Sequence, residues 1–118
     1  MSKLLIIIPS KDRTTELAGL LQNLLNHDEQ FDIFIADMYT NPRELETTHY
    51  IRASLELLKN KGHNYMVQRV NGTNQLYGYN AGLAFAASKG YDLCLGGDDD
   101  LTYEPPFIKQ GKEVKSAL

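Results

Sequence analysis

Tryptophan is absent from the 118-residue chain, cysteine occurs once and proline four times. A single cysteine, Cys94, excludes an intrachain disulfide framework and any all-cysteine metal site, and it suits a reducing compartment. No apolar run approaches the ~20 residues that a bilayer crossing needs, and Met1-Ser2-Lys3 leads into an apolar stretch too short for the core of a signal peptide. The expectation is no membrane span and a cytoplasmic location. An excess of positive charge is missing too. Twelve Lys and Arg stand against fifteen Asp and Glu, a net charge of −3, which offers no attractive field to a phosphate backbone, so no nucleic-acid partner is expected. Internal repeats, low-complexity tracts and linkers are also lacking. With 42% hydrophobic residues the chain can bury one core, and residues 1–118 read as a single domain.

What is present is an alternation of short apolar runs with helix-like stretches, the pattern of an α/β protein with a parallel sheet. The spacing predicts strands over Leu4 to Pro9, Phe31 to Asp37, Tyr65 to Val70 and Tyr91 to Gly97. Leu4-Leu5-Ile6-Ile7-Ile8 is apolar on both faces, as a central strand of such a sheet requires. Leu17, Leu20, Leu21, Leu24 and Leu25 fall on one face of a helix. Asn41-Pro42-Arg43-Glu44 predicts the opening of one long helix, with Asn41 as N-cap and Pro42 at the first helical position, ending at Gly62. A third helix is predicted over Gln75 to Lys89, stopped by Gly90, and a basic segment follows Pro105-Pro106. Right-handed crossovers leave few topologies, and the one expected is a Rossmann-like parallel sheet in the order 3-2-1-4 with flanking helices.

The segment richest in chemistry is Leu93-Cys94-Leu95-Gly96-Gly97-Asp98-Asp99-Asp100, an apolar strand running into three carboxylates. In extended backbone, residues two apart point the same way, so Asp98 and Asp100 can converge on one ligand while Asp99 faces elsewhere. Carboxylate oxygens so placed suit a hard cation, Mg²⁺ or Mn²⁺, which takes its other ligands from water and substrate phosphates. A solvated acidic turn that merely ends the strand is the plainer reading of the same residues. Topology adds to the first. Ligands of open parallel sheets bind beyond the carboxyl ends of the strands, where the strand order reverses. The expected order puts that point between the first and fourth strands, so Pro9-Ser10, Asp98 to Asp100 and, at the neighbouring strand end, Asp37 would share one pocket.

Over nearly its whole length the sequence resembles the N-terminal, nucleotide-sugar-binding half of glycosyltransferase family 2, enzymes of GT-A fold. Ile6-Ile7-Ile8-Pro9-Ser10 is similar to the family's opening strand and turn, and Asp12-Arg13 sits where the family often has Asn-Arg. Phe31 to Asp37 is similar to the second strand with its terminal aspartate, and Asn80-Ala81-Gly82-Leu83 to the Asn-x-Gly helix element. Asp98-Asp99-Asp100 followed by Tyr103-Glu104-Pro105 resembles the Asp-x-Asp motif with its downstream proline.

The resemblance implies a donor site for a nucleotide-diphosphate sugar, a UDP-sugar being favoured. In it Asp37 accepts a hydrogen bond from the base and Pro9 and Ser10 contact the nucleoside. Asn80 and Asp99 belong to the donor-binding set, Asp98 binds the ribose or the metal's waters, and Asp100 coordinates Mn²⁺ or Mg²⁺ between the phosphates. A cation there stabilises the charge that develops on a departing nucleoside diphosphate. The sequence departs from the family at Met38-Tyr39-Thr40, where Asp-Gly-Ser is usual, at Tyr79 in place of Arg, and at Asn74 in place of Gly. The resemblance also implies that the acceptor-binding half and the catalytic base lie beyond this truncated GT-A-like chain. No residue is assigned as base, and donor binding without turnover is expected. The fourth strand's edge, flanked in the family by strands of that half, is expected to favour a homo-oligomer.

The remaining residues have ordinary readings. His27, His49 and His63 lack the i, i+4 pairing of a zinc helix and are expected in surface or capping roles. Cys94 reads as a core thiol, Tyr77 and Tyr79 as packing before base stacking, and Lys109, Lys112 and Lys115 as a solvated stripe. Gly72, Gly78 and Gly82 form no phosphate-binding Gly-x-Gly-x-x-Gly. Two alternatives to the transferase remain open. One is a catalytically silent nucleotide-binding domain. The other is a receiver-like signalling module, which would need an acidic pair after the first strand, an aspartate ending the third and a lysine ending a fifth. The chain offers Ser10-Lys11-Asp12 and Val70-Asn71.

Overall fold

A computed structural model describes residues 3–72 and 74–97. The order of elements is β1 (Leu4–Ser10), α1 (Thr14–Leu24), β2 (Asp32–Asp37), α2 (Glu44–Thr47), α3 (His49–Asn60), β3 (Tyr65–Arg69), α4 (Gln75–Lys89) and β4 (Leu93–Gly96). The four strands form one sheet in the order β3-β2-β1-β4, and every neighbouring pair is parallel, with Ile6 opposite Ile33 and Leu95, and Ile35 opposite Val67. This is the Rossmann-like order expected from the sequence. It differs from the 2-1-3-4-5 order of flavodoxin-like receivers.

Period-two alternation divides the core between the two faces of the sheet. Leu4, Ile6 and Ile8 of β1 and Ile33 and Ile35 of β2 meet Leu17, Leu20, Leu21 and Leu24 of α1 and Ile51, Leu55 and Leu58 of α3. Leu5, Ile7, Phe34 and Ala36 face the other way, onto Ala86 of α4 and the half-buried Phe85 and Tyr79. The second layer is thin because α4 lies unusually close. A Cβ on Gly82 would stand 2.4 Å from Ile7 Cγ2, and one on Gly78 would stand 2.8 Å from Pro9 Cβ. The helix ends as the sequence predicts, with Gly90 in the left-handed region at φ 76°.

The expected long helix after β2 is broken. Thr48 is extended at φ −90°, ψ 107° and separates the single turn of α2 from α3. Two physical causes act there. The hydroxyls of Thr47 and Thr48 donate to the carbonyls of Arg43 (2.9 Å) and Glu44 (2.6 Å), competing with the helical ladder. In addition, at ~100° per residue, Leu45 and Ile51 would lie ~120° apart on a continuous helix, whereas the break lets both be buried. Asn41 is accordingly no N-cap of a long helix; its side chain accepts from Arg43 N (3.0 Å) in a local turn, and Arg43 precedes α2.

Two histidines expected in surface or capping roles are buried. The His63 ring stacks on Phe31 at 3.9 Å and its Nδ1 donates to the Phe31 carbonyl at 2.7 Å, and His27 lies beneath the end of α1 at 1% exposure. His63 thereby packs at the amino-terminal end of β2, beside the residue that leads into the strand.

Candidate functional site

The carboxyl ends of β1, β2 and β3 carry Ser10, Asp37 and Arg69, and their order in the sheet follows from register: Ser10 lies opposite Asp37, and Asp37 opposite Arg69. Each continues the alternation of its strand on the α1/α3 face. Asp37 is 6% exposed. Its Oδ1 accepts from Tyr39 N at 3.0 Å and from Arg69 Nη1 at 3.1 Å, which fixes the carboxylate rotamer while Oδ2 takes neither bond. A cleft of about 430 Å³ opens beside this pair. Its walls are Ile35 and Val67 of the sheet and Leu45, Ile51 and Leu55 of the broken helix, and Arg52 stands at its rim. The break at Thr48 thus has a consequence at the site, since it parts α2 and α3 above β2 and β3.

Beside Asp37 the two loops that follow β1 and β2 are joined side chain to side chain. Met38 N donates to the Ser10 carbonyl at 3.0 Å, extending the β1–β2 ladder. The Ser10 hydroxyl and the phenol of fully buried Tyr39 share a 2.8 Å hydrogen bond. Further out, Thr40 donates through its N (2.9 Å) and Oγ1 (2.6 Å) to the two oxygens of Asp12. Those bonds, hydroxyl first, hold the exposed Asp12 carboxyl below the usual carboxylate range. Asp12 is left-handed at φ 53°, the one non-glycine residue with positive φ among those described.

The structure brings together two of the residues expected at the site, Ser10 and Asp37, and separates others from them. Pro9 turns to the opposite face, against Gly78 of α4. Asn80 is exposed on the second turn of α4. At the helix start Asn74 caps through its side chain, accepting from Leu76 N at 2.9 Å, and a small cavity of about 90 Å³ lies between it and Pro9, Ser10, Lys11 and Met38. Tyr79 packs over Gly96, while Tyr77 is half exposed with its ring over Gly72. Cys94 is half-buried against the α4 layer. Asp98, Asp99 and Asp100 lie outside the described residues. Among those described, no group of three or more His, Cys, Asp or Glu side chains is placed to hold a metal ion, and no helix is long and apolar enough to cross a membrane.

β4 runs parallel to β1, with Gly97 N donating to the Ile7 carbonyl at 2.9 Å, so the strand order reverses between these two strands as the sequence led us to expect. The crystal structure of S. aureus TarS superposes with a TM-score of 0.62 over 93% of this chain, at 21% identity. The fold is GT-A-like. The chain spans 18% of the length of TarS, and at this identity the likeness shows the fold alone. Phosphoribosylglycinamide formyltransferase from Anaplasma phagocytophilum aligns over 93% of this chain and 46% of its own, at 11% identity and a TM-score of 0.36. No protein-family model matches the chain, and no curated protein matches it.

Arg69 and Tyr39 are the site residues that sequence reasoning did not single out. A signal for Arg69 existed in strand register, because it is two residues beyond Val67 on the face that carries Asp37. Tyr39 gave none, since a buried tyrosine and a surface one look alike after a strand.

Proposed function

We propose that this chain is a nucleotide-binding domain of GT-A-like fold that holds a nucleotide-diphosphate sugar at the carboxyl ends of β1, β2 and β4. The observation that carries the reading is the buried carboxylate of Asp37. Its Oδ1 is held by Tyr39 N and Arg69, so Oδ2 can accept from a ring N–H, and the apolar cleft beside it suits a planar base. Burial makes such a bond selective, because a ligand lacking the N–H would leave a carboxylate oxygen desolvated and unpaired. Ser10, its hydroxyl already engaged by Tyr39, contributes backbone at the nucleoside end, with Pro9 beside it; Asn80 and Asp99 complete the donor-binding set in this reading.

The ligands for Mn²⁺ or Mg²⁺ would be Asp98 and Asp100, which lie outside the described residues. When bound, it would neutralise the diphosphate. In this reading the chain binds donor, and no residue is assigned as a general base towards an acceptor. Titration calorimetry with UDP and GDP, with and without Mn²⁺, tests the reading. Binding is expected, strengthened by Mn²⁺ and weakened about tenfold or more by Asp37→Ala, and the Mn²⁺ effect should vanish in Asp100→Ala. Absence of binding to any nucleoside diphosphate would overturn it. Transfer of the sugar to an acceptor is the second reading, favoured by the strand position that leads into Asp98-x-Asp100. Release of UDP from UDP-glucose in the presence of acceptors, lost in Asp98→Ala, would establish it.

A further inference from the structure

The segment Met38-Tyr39-Thr40, where the sequence departs from the resembling family, supplies all the side-chain bonds described above between the β1–α1 and β2–α2 loops. Each residue ties to the β1 loop at a different depth. Met38 N bonds the Ser10 carbonyl, the Tyr39 phenol reaches the Ser10 hydroxyl inside the core, and Thr40 engages both oxygens of Asp12 at the surface. Two features are costly unless they serve this linkage. A phenol at 0% exposure must find a hydrogen-bond partner, and phenylalanine would fill the same volume without that demand. Asp12 sits at φ 53°, a conformation that persists in a non-glycine residue only where its surroundings over-determine it, and it clusters at ligand sites.

We propose that Tyr39 and Asp12 are positioning residues for the nucleoside end of the site. They lock the two loops into one rigid platform, so that the Ser10 backbone and the Asp37 carboxylate are held in their binding geometry before ligand arrives. The inference rests on the nucleotide-binding reading above. Physically, a loop that must be ordered on binding subtracts its ordering cost from affinity, and a loop ordered in advance does not. Tyr39 acts at both ends of the platform, through its phenol on Ser10 and through its N–H on Asp37 Oδ1. Asp12 fixes the outer edge. In this reading both act at the nucleoside end, and the phosphate end belongs to the residues after β4, so the two parts of the ligand should respond differently.

The test compares affinities for UDP and for inorganic pyrophosphate, both with Mn²⁺, in the wild-type chain and in Tyr39→Phe, Asp12→Gly and Asp12→Asn, at a temperature where far-UV circular dichroism shows each to be folded. Tyr39→Phe removes one oxygen and leaves the ring. Asp12→Gly keeps the left-handed backbone and deletes the carboxylate, whereas Asp12→Asn keeps both the turn and one acceptor for Thr40. Tyr39→Phe and Asp12→Gly should each weaken UDP about threefold to tenfold while leaving pyrophosphate unchanged, and Asp12→Asn should recover part of the loss. If the wild-type chain binds UDP and both Tyr39→Phe and Asp12→Gly match it, the platform is refuted while the nucleotide reading stands; equal losses for UDP and pyrophosphate refute it as well. A wild-type chain that binds no UDP refutes both.

Discussion

Replacing Gly82 by alanine sets two opposed effects against each other, and the geometry of α4 decides between them. In a helix interior the substitution is intrinsically favourable by ~1 kcal/mol, because alanine surrenders less backbone entropy than glycine. Against this, the new Cβ would land 2.4, 2.8 and 2.9 Å from three carbons of the Ile7 side chain. Ile7 is 1% exposed, and a β-branched side chain in a filled core has few rotamers to retreat into. Overpacking of this kind costs ~1–3 kcal/mol, and three overlaps with one buried, β-branched side chain put Gly82→Ala at the upper end, a net loss of ~2 kcal/mol. Gly19 in α1 is the control, since a Cβ there meets nothing within 4 Å and Gly19→Ala should retain the gain of ~1 kcal/mol. The two variants should therefore separate by ~3 kcal/mol in urea denaturation followed by circular dichroism, with similar m values, and by about 10 °C in thermal midpoint. A Gly82→Ala chain as stable as Gly19→Ala would refute the close approach of α4 to β1.

Two further predictions concern titration. The Asp12 carboxyl is held below its ordinary value of 3.8, so its bond to Thr40 contributes fully above that value and is lost as pH falls through the depressed one; the Thr40 amide resonance should shift in that acid range, and the shift should disappear in Asp12→Asn. The Tyr91 phenol is pushed well above its ordinary value of 10, first by burial and then by its 2.6 Å bond to Asp32. That contribution is present below pH ~10 and lost only as pH rises further, so in an ultraviolet titration Tyr91 should ionise after the exposed tyrosines and Asp32→Asn should bring it earlier. Simultaneous ionisation of all the tyrosines would contradict the half-buried Tyr91–Asp32 pair.

The sheet was legible because β1 states it twice over. Seven consecutive buried residues from Leu4 to Ser10 can be covered only by helices on both sides, and the helical spacing of the leucines in α1 says which residues do the covering. Strand order then follows from handedness and from the position of the longest apolar run at the centre. Helix α4 was legible end to end because its boundaries are local, with Asn74 capping at one end and Gly90 in the left-handed region at the other. The break at Thr48 was not. Hydroxyl bonds to carbonyls three and four residues back occur in intact helices as well as broken ones, so the threonines alone do not reveal the break; the second cause, the burial of both Leu45 and Ile51, shows only in the tertiary packing. His63 was misjudged for a related reason. Its ring is polar by composition, but stacking on Phe31 and a bond to that residue's carbonyl make it core filler.

The site divides along the same line between what a strand dictates and what tertiary packing adds. Asp37 could be located because parallel sheets gather ligands at strand ends and because β2 ends in an acid. The carboxylate alone, however, does not fix a binding geometry; an aspartate at a strand end with free rotation about χ1 would serve as well for a solvated turn. What distinguishes it here is that one oxygen is immobilised by Tyr39 N and Arg69, from the loop that follows and the strand beside it. Those partners come from positions that no local pattern marks, one a tyrosine where the resembling family has a small residue and the other an arginine on an edge strand. The consequence is that the departure from the family pattern at Met38-Tyr39-Thr40 need not be a loss of recognition. The same three residues that remove the family's usual turn supply hydrogen bonds that hold Asp37 and the β1 loop in place, so a chain lacking the familiar motif can still present an ordered acceptor at the crevice between its strand ends.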